Sequence, residues 1–254
     1  MSIVKKGTAG KLNVMIFENR QQLGEDAANA VAEKINELLQ TQQMVNVIFA
    51  AAASQNEFLA TLIALDIEWQ RVNAFHMDEY VNLAADAPQG FGNFLKERLF
   101  KLAPFHSVNY IDGNVNDDAT ECKRYAALLT EFATDIVCLG IGENTHLAFN
   151  DPHVANENDP YLVKRVDLDE ACRTQQVNDG CFAHLADVPT HALTLTLPAL
   201  LKAPYAFCTV PGEKKAQAVY HTLTEAISDD FPSTLLRKQE NATLFLDADS
   251  SRLV

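Results

Sequence analysis

The chain has 254 residues, of which 48% are hydrophobic, and a formal net charge of −14. This length and apolar content suffice to bury the core of one α/β domain spanning residues 1–254. The negative charge repels nucleic acid phosphates and anionic lipid surfaces, so we expect neither as a partner. A phosphate-bearing ligand would need a local cluster of hydrogen-bond donors.

The sequence has no run near the roughly 18 consecutive apolar residues of a membrane helix, and its N-terminus lacks a basic segment followed by an apolar core. We therefore expect neither a membrane anchor nor a signal peptide. The five cysteines are scattered and include no Cys-x-x-Cys pair, which favours reduced thiols over a disulfide framework or a zinc site. These features predict a cytoplasmic protein.

Apolar runs and helical periodicity alternate from the start of the chain. Strands are predicted at residues 12–17 and 45–49, and the helix predicted at 21–40 has its apolar residues on one face. Ser54-Gln-Asn-Glu57 matches a capping box, so Ser54 is predicted to cap the next helix. Such a helix start can bind an anion, and the small residues Ala52 and Ala53 would let a phosphate approach the backbone. A plain cap beside an alanine run explains the pattern equally well.

A strand predicted at residues 72–77 leads into two adjacent acids, Asp78 and Glu79. Because side chains alternate along an extended chain, we expect at most one of these carboxylates to face a crevice. An acid pair on the surface is the alternative. Helices are predicted to follow at residues 91–100 and 119–132.

Residues 136–139 form a continuous apolar run, as expected for a parallel strand covered on both faces. Gly140 and Gly142 follow, and they would let the chain turn sharply or approach a ligand. His146 would then lie beyond the carboxyl end of a strand, where open α/β sheets bind ligands. With Asn144 and Asp151 as neighbours, it is a candidate acid/base group. A polar loop that merely covers the strand is the alternative.

The second half of the chain continues the alternation. Strands are predicted at residues 161–168, 192–197, 205–210 and 242–247, with a turn at 178–180. Lys214 and Lys215 would lie in the first turn of a helix, where cations oppose the helix dipole. An anionic ligand nearby would offset that cost, whereas solvated lysines are the simpler explanation. The alternation as a whole predicts the α/β class.

Two long motifs resemble those of one family. Phe75-His-Met-Asp-Glu-Tyr80 resembles the Met-Asp-Glu-Tyr segment of glucosamine-6-phosphate deaminases, also called isomerases. Gly140-Ile-Gly-Glu-Asn-Thr-His-Leu-Ala-Phe-Asn-Asp-Pro152 resembles their Gly-x-Gly-x-Asp-Gly-His-Ile-Ala-Phe-Asn-Glu-Pro signature. Val188-Pro-Thr-His-Ala-Leu-Thr194 and Pro211-Gly-Glu-Lys-Lys-Ala216 resemble later segments, so the similarity spans nearly the whole chain.

The resemblance implies a Rossmann-like, mostly parallel sheet with helices on both faces. It also implies a reaction without metal or cofactor, in which an amino sugar phosphate opens, isomerises and loses ammonia. By analogy, Asp78 would be the base that moves the C2 proton. His146 would assist ring opening while Asn144 and Asp151 hold it.

The resemblance also implies where the substrate binds. Ser54 and Lys215 match family positions that hold the substrate phosphate, and Ala52 and Ala53 belong to the same phosphate loop. Glu79 is a further candidate for contacting the substrate. The expected partner is therefore a small sugar phosphate, and a homo-oligomer is compatible with this assignment.

The chain departs from the family pattern around the histidine. Asn144 replaces an aspartate, Thr145 a glycine and Asp151 a glutamate. Asn144 can orient an imidazole but cannot stabilise its charged form as a carboxylate would. If the glycine serves a positive φ, Thr145 is strained by roughly 1–2 kcal/mol. The family's phosphate-binding arginine has no match, because Arg173 comes several positions early and Asn178 occupies the nearer place.

The sequence thus predicts a deaminase/isomerase acting on glucosamine-6-phosphate or a close analogue. Two alternatives remain open. One is a sugar lactone hydrolase of the related 6-phosphogluconolactonase type, but those proteins typically continue the histidine motif with a Ser-Leu-Phe-Pro type sequence. The other is a non-catalytic sugar-phosphate sensor, which Asn144, Thr145 and the glycine-poor phosphate loop suggest.

Overall fold

The computed structural model describes residues 3–178 and 180–254. Its strands are β1 (Ile3–Ala9), β2 (Leu12–Phe17), β3 (Val45–Phe49), β4 (Val72–His76), β5 (Asp78–Tyr80), β6 (Ser107–Asn109), β7 (Ile136–Leu139), β8 (Val163–Asp167), β9 (His191–Leu195), β10 (Tyr205–Val210) and β11 (Ala242–Leu246). Its α-helices are α1 (Arg20–Leu39), α2 (Asn56–Leu62), α3 (Phe91–Leu95), α4 (Asp118–Glu131), α5 (Glu170–Asn178), α6 (Leu197–Leu201) and α7 (Ala216–Thr224). Within these ranges no helix is long and apolar enough to cross a bilayer.

The main sheet has eight strands in the order β1-β2-β11-β10-β7-β3-β4-β6. β1 pairs antiparallel with β2, and the remaining neighbours are parallel. From β3 the chain moves outward through β4 to β6, then returns to the opposite side of β3 at β7. The strand order therefore reverses between β3 and β7, where diverging loops leave a crevice at the carboxyl ends. The predicted Rossmann-like α/β class is confirmed.

Both faces of the central strands are buried. In β7, Val137 and Leu139 pack into one apolar cluster, whereas Ile136 and Cys138 pack into another. The second cluster contains the apolar face of α1, including Ala27. Burial on both faces explains why the sequence of this strand is apolar without interruption.

β5, β9 and β8 form a separate antiparallel sheet. The apolar pattern predicted β8 and β9 as strands but did not indicate that they leave the main sheet. The two sheets meet at Met77, whose carbonyl oxygen accepts a hydrogen bond from the Leu195 backbone amide at 2.8 Å. The chain thus passes from β4 to β5 at this junction, and Asp78 is the first residue beyond it.

Several elements differ from the sequence predictions. β1 was not predicted because its side chains from residue 4 to residue 8 are exposed, so it carries no apolar alternation. The helix predicted at 91–100 divides into α3 and a π-helical turn at Lys96–Phe100. α5 was also not predicted. The predicted turn at 178–180 includes Asp179, which lies outside the described residues.

Candidate active site

A cavity of about 660 Å³ opens at the carboxyl ends of β3, β7 and β10. Its lining combines the loops that follow these strands with Asp78 at the start of β5. It brings together six of the residues predicted for the site: Ala52, Ala53, Ser54, Asp78, His146 and Lys215. Asn144 and Asp151 are not part of the lining but contact His146. Segments far apart in sequence therefore meet in one cavity.

Two oxygen atoms surround Nδ1 of His146. Asn144 Oδ1 lies 2.6 Å from Nδ1, and Asp151 Oδ1 lies 3.0 Å from it. The Asn144 side-chain amide also donates to Asp151 Oδ1 at 2.7 Å, which fixes the orientation of the Asn144 side chain. Because both oxygens are acceptors in this arrangement, Nδ1 carries a hydrogen. Nε2 is then the ring nitrogen available for proton exchange with a ligand.

A tight turn holds the imidazole against the backbone. The Gly142 amide donates to the His146 carbonyl oxygen at 2.9 Å, and the Thr145 amide donates to the Gly142 carbonyl oxygen at 3.0 Å. A Cβ atom added to Gly142 would lie 2.1 Å from the His146 ring, so only glycine fits there. Thr145 has a φ of 71°, the left-handed conformation expected from the family's glycine. For a β-branched residue this conformation is strained.

Asp151 is buried behind the imidazole and keeps its charge. Burial by itself would raise the pKa of Asp151. The charge of His146 and the hydrogen bonds from His146 and Asn144 outweigh that effect and lower the pKa below its ordinary value. Asp151 is therefore a fixed negative charge that orients His146.

Asp78 behaves in the opposite way. Burial, followed by the negative charge of Glu79, raises the pKa of Asp78 well above its ordinary value. A carboxyl group with a raised pKa is a stronger base once it is ionised. Asp78 also lines the cavity, so its carboxylate is placed to exchange protons with a ligand.

The side chain of Glu79 is bound by backbone amides. Its carboxylate accepts hydrogen bonds from the backbone amides of Tyr80, Phe91 and Gly92 at 2.9–3.1 Å. The last two amides lie in the first turn of α3, where a negative charge is favourable. Glu79 does not line the cavity, so this geometry gives no support to its expected contact with the substrate.

The prediction that Ser54 caps a helix is wrong. The chain after β3 first forms a 3-10 turn at Ala53–Gln55, and neither this turn nor α2 has a side-chain cap. Ser54 Oγ instead accepts a hydrogen bond from the Gln55 side chain at 3.2 Å. Glu57, the other end of the predicted capping box, pairs with Arg20 at 2.7 Å. Ser54 Oγ is therefore not occupied by the helix amides, and the residue lines the cavity.

Two arginines that the sequence did not single out line the same cavity, Arg20 and Arg98. Arg20 donates to the Ala53 carbonyl oxygen at 3.4 Å. Arg98 donates to Asn56 Oδ1 at 3.0 Å and lies 3.9 Å from the centre of the Phe94 ring. Arg20 contacts the loop after β3 and Arg98 contacts the first residue of α2, so both bring positive charge to this side of the cavity. In the sequence they lie on distant helical segments, and no motif marks them.

The model of the family described as glucosamine-6-phosphate isomerases/6-phosphogluconolactonase matches residues 18–245 of this chain. The chain belongs to this family. A protein of Bacillus cereus (strain B4264) named glucosamine-6-phosphate deaminase is 31% identical over 95% of this chain and 89% of its own length. A protein of the same name from Bacillus thuringiensis (strain Al Hakam) is 32% identical over the same shares.

Solved structures of the glucosamine-6-phosphate isomerase/6-phosphogluconolactonase family share the fold. A monomeric glucosamine-6-phosphate deaminase superposes with a TM-score of 0.86 and 28% identity, covering 95% of this chain and 99% of its own. A 6-phosphogluconolactonase of Thermotoga maritima superposes with a TM-score of 0.75 and 20% identity, covering 92% and 98%. The second likeness is one of fold alone.

Arg173 does not supply the phosphate-binding arginine of this family. Its guanidinium donates to the carbonyl oxygens of Leu185 and Val188 at 2.7–3.2 Å, which ties α5 to the chain before β9. Arg173 also does not line the main cavity. Among the residues that the structure describes, the arginines that line the main cavity are Arg20 and Arg98.

Proposed function

We propose that this chain converts an amino sugar phosphate, glucosamine-6-phosphate or a close analogue, to the ketose phosphate and ammonia by acid/base catalysis. One observation carries the proposal: Asp78, His146, Ser54 and Lys215 line a single cavity at the strand-order reversal of the sheet. The names of the Bacillus relatives support the substrate class.

The phosphate binds at the Ser54 end of the cavity in this proposal. Ser54 Oγ and the neighbouring backbone supply hydrogen bonds, and the alanines before Ser54 let the phosphate approach closely. Lys215 supplies a charge-assisted hydrogen bond. Arg98 and Arg20 supply the positive charge that the family places on an arginine absent here, since a planar guanidinium matches phosphate geometry.

The proton transfers belong to the other end of the cavity. Opening the sugar ring moves a proton from the anomeric hydroxyl to the ring oxygen, and Nε2 of His146 relays it while Nδ1 stays bonded to Asn144 and Asp151. Asp78 then removes the C2 proton of the open-chain aldehyde while the C1 oxygen takes a proton from the substrate's ammonium group. Return of the proton from Asp78 to C1 leaves a protonated imine at C2. Water hydrolyses the imine, which releases ammonia and leaves the ketose phosphate.

The direct test is a panel of hexosamine 6-phosphates with simultaneous detection of ammonia and of the ketose phosphate. Equal amounts of both products from at least one substrate are expected. A second arm offers 6-phosphogluconolactone, because the family also contains lactonases. Lactone opening without ammonia release would replace the proposal, and tight sugar-phosphate binding without turnover would favour a sensor.

The setting of the reaction is also part of the proposal. The five cysteines form no disulfide, which fits a reducing cytoplasm where phosphorylated sugars are metabolised. Self-association of the chain is a separate prediction. Analytical ultracentrifugation at the concentration used in the activity assay would measure the oligomeric state. A solved relative is described as monomeric, so a single subunit of this fold can be a complete deaminase.

A further inference from the structure

Three side chains that can bind a metal ion, including His146, lie close together. A ring nitrogen of His146, a carboxylate oxygen of Asp151 and Sγ of Cys172 all lie within 4.8 Å of one another. Asp151 and Cys172 are almost completely buried, with 0% and 1% exposure. None of the proton transfers described above uses Cys172, so its place in this group has no explanation in the reaction.

The carboxylate of Asp151 is suited to bind a cation. Oδ1 accepts hydrogen bonds from Asn144 and His146, whereas Oδ2 is buried and has no nitrogen or oxygen donor among the described residues; the thiol of Cys172, a weak donor, is the further partner of this carboxylate. A buried carboxylate oxygen without a donor is energetically costly. A metal ion on this carboxylate would satisfy the unpaired oxygen.

The group has an entrance separate from the main cavity. A second cavity of about 560 Å³ is lined by Cys172, Asn144 and the acidic side chains of Glu143 and Glu170. His146 lines the main cavity instead. The three candidate ligands therefore lie between the two cavities, and an ion can approach along the acidic side without passing the substrate.

We propose that His146, Asp151 and Cys172 form an inhibitory site for Zn²⁺. Thiolate and imidazole ligands favour Zn²⁺ over Mg²⁺ or Ca²⁺, and a water from the second cavity can be the fourth ligand. Tetrahedral zinc needs ligand atoms about 3.4–3.6 Å apart, so side-chain rotations on the order of 1 Å would complete the site.

Zinc at this position stops the proposed proton relay. The ion binds Nδ1, so the ring hydrogen now on Nδ1 moves to Nε2, which can then no longer accept a proton from the substrate. The Cys172 thiol loses its proton to solvent. Burial and the charge of Asp151 raise the pKa of that thiol, so the metal-free cysteine stays protonated. Zinc uptake therefore releases protons, and its affinity should increase with pH.

Metal binding is tested without an activity assay. Co²⁺ is added to the full chain, and the near-ultraviolet charge-transfer band of a cobalt–thiolate bond is recorded together with competition by Zn²⁺. We expect one ion per chain and a thiolate band that Cys172→Ser abolishes. Zinc affinity should fall about tenfold or more in Cys172→Ser and in Cys172→Ala. Losing a ligand should reduce metal affinity at least as much as losing a residue that only orients a ligand.

Cys122→Ser is the matched control, since this partly exposed cysteine lies on α4. It should bind both metals like the parent chain. Absence of the thiolate band in the parent chain, or equal zinc affinity in the parent and Cys172→Ser, would overturn the site. Inhibition reversed by a chelator is the further expectation; it rests on the proposed function, whereas the binding measurements do not.

Discussion

Asp78 and Asp151 are buried to a similar extent, with 7% and 0% exposure, yet their pKa values move in opposite directions. Asp151 has His146 and Asn144 as hydrogen-bond donors, and their effect exceeds the cost of burial. Asp78 has Glu79 as its neighbour, which adds to the effect of burial. Burial alone therefore does not decide the charge of a carboxyl group; its partners do.

This difference suits the two groups to the different tasks proposed for them. A carboxylate that stays charged can orient a histidine, whereas a carboxyl group with a raised pKa can take up and return a proton. The fold produces the contrast, because Asp151 belongs to the turn after β7 while Asp78 lies where the chain leaves the main sheet. Substitutions at each group separate the two tasks.

Replacing Asp78, the proposed base, should cause the largest loss of activity. Asp78→Asn keeps the shape of the side chain but removes its ability to accept a proton, so kcat should fall about 10²–10⁴-fold. Exchange of the C2 proton with solvent, followed by NMR, should disappear. Binding of the phosphorylated substrate should be retained, which titration calorimetry measures.

Asp151→Asn is the matched comparison, since its amide oxygen can still accept from His146. It should reduce the rate of ring opening without abolishing C2 exchange from an open-chain analogue. Near-normal turnover in Asp78→Asn, or loss of C2 exchange in both variants alike, would break the distinction between the two aspartates.

A variant at the phosphate end separates binding from proton transfer. Lys215→Ala should weaken the binding of phosphorylated sugars about tenfold to a hundredfold, because a charge-assisted hydrogen bond is worth roughly 1.5–3 kcal/mol. Unphosphorylated analogues should bind almost as before. Arg98→Ala should show the same selectivity, whereas an equal loss for both ligand sets would make either residue merely structural.

Sequence patterns predicted the central strands well, and the reason is physical. β3, β7 and β10 begin and end at the predicted residues, since strands buried on both faces are almost entirely apolar. Ser54 shows where local patterns fail. Its spacing to Glu57 suits a cap, but Glu57 binds Arg20 of α1, a contact that only the tertiary structure creates.

The missed site residues have a common cause. Arg20 lies on α1, Arg98 lies on the π-helical turn after α3, and Cys172 lies on α5. No spacing along the chain relates these residues to Ser54 or His146. They reach the site only because the strand-order reversal brings these segments together. The motif around His146 was found because the hydrogen-bond partners of its ring, Asn144 and Asp151, lie two and five residues away in the sequence.

The pH dependence of activity should separate the proposed roles of Asp78 and His146. Asp78 must be ionised to act as a base, so activity should fall as the pH drops through its raised pKa, above the ordinary carboxyl value of about 4. Glu79→Gln removes a negative charge beside Asp78 and should move this acidic limb to lower pH. Asn144→Asp places a carboxylate beside His146 and should move the histidine limb to higher pH, by something on the order of one pH unit.

Each variant is the control for the other, because each should move one limb and leave the second in place. Profiles are normalised to their own maxima, since Glu79→Gln also weakens the contacts to α3. NMR titration of the His146 ring checks the assignment directly. An identical titration in the parent chain and Asn144→Asp would disprove the functional role of the contact between residues 144 and 146.

The smallest effect concerns the turn that holds Asp151 and His146. Thr145 and Ala148 are two of the three non-glycine residues with positive φ in the described chain. Thr145→Gly should relieve roughly 1–2 kcal/mol of backbone strain, offset by about 0.5–1 kcal/mol of glycine entropy. It also removes a buried hydroxyl that has no hydrogen-bond partner among the described residues. Urea unfolding should therefore show an unchanged or slightly higher free energy of unfolding.

Thr222→Gly provides the contrast, because Thr222 is a buried threonine in α7 whose hydroxyl donates to the Ala218 carbonyl oxygen at 2.6 Å. There the substitution loses a satisfied hydrogen bond and adds glycine entropy within a helix, so the free energy of unfolding should fall by about 1–2 kcal/mol. If Thr145→Gly destabilised the chain as much as Thr222→Gly, the left-handed conformation at residue 145 would carry no strain. The turn would then hold Asp151 and His146 without any cost to stability, and the departure from the family's glycine would be neutral for the fold.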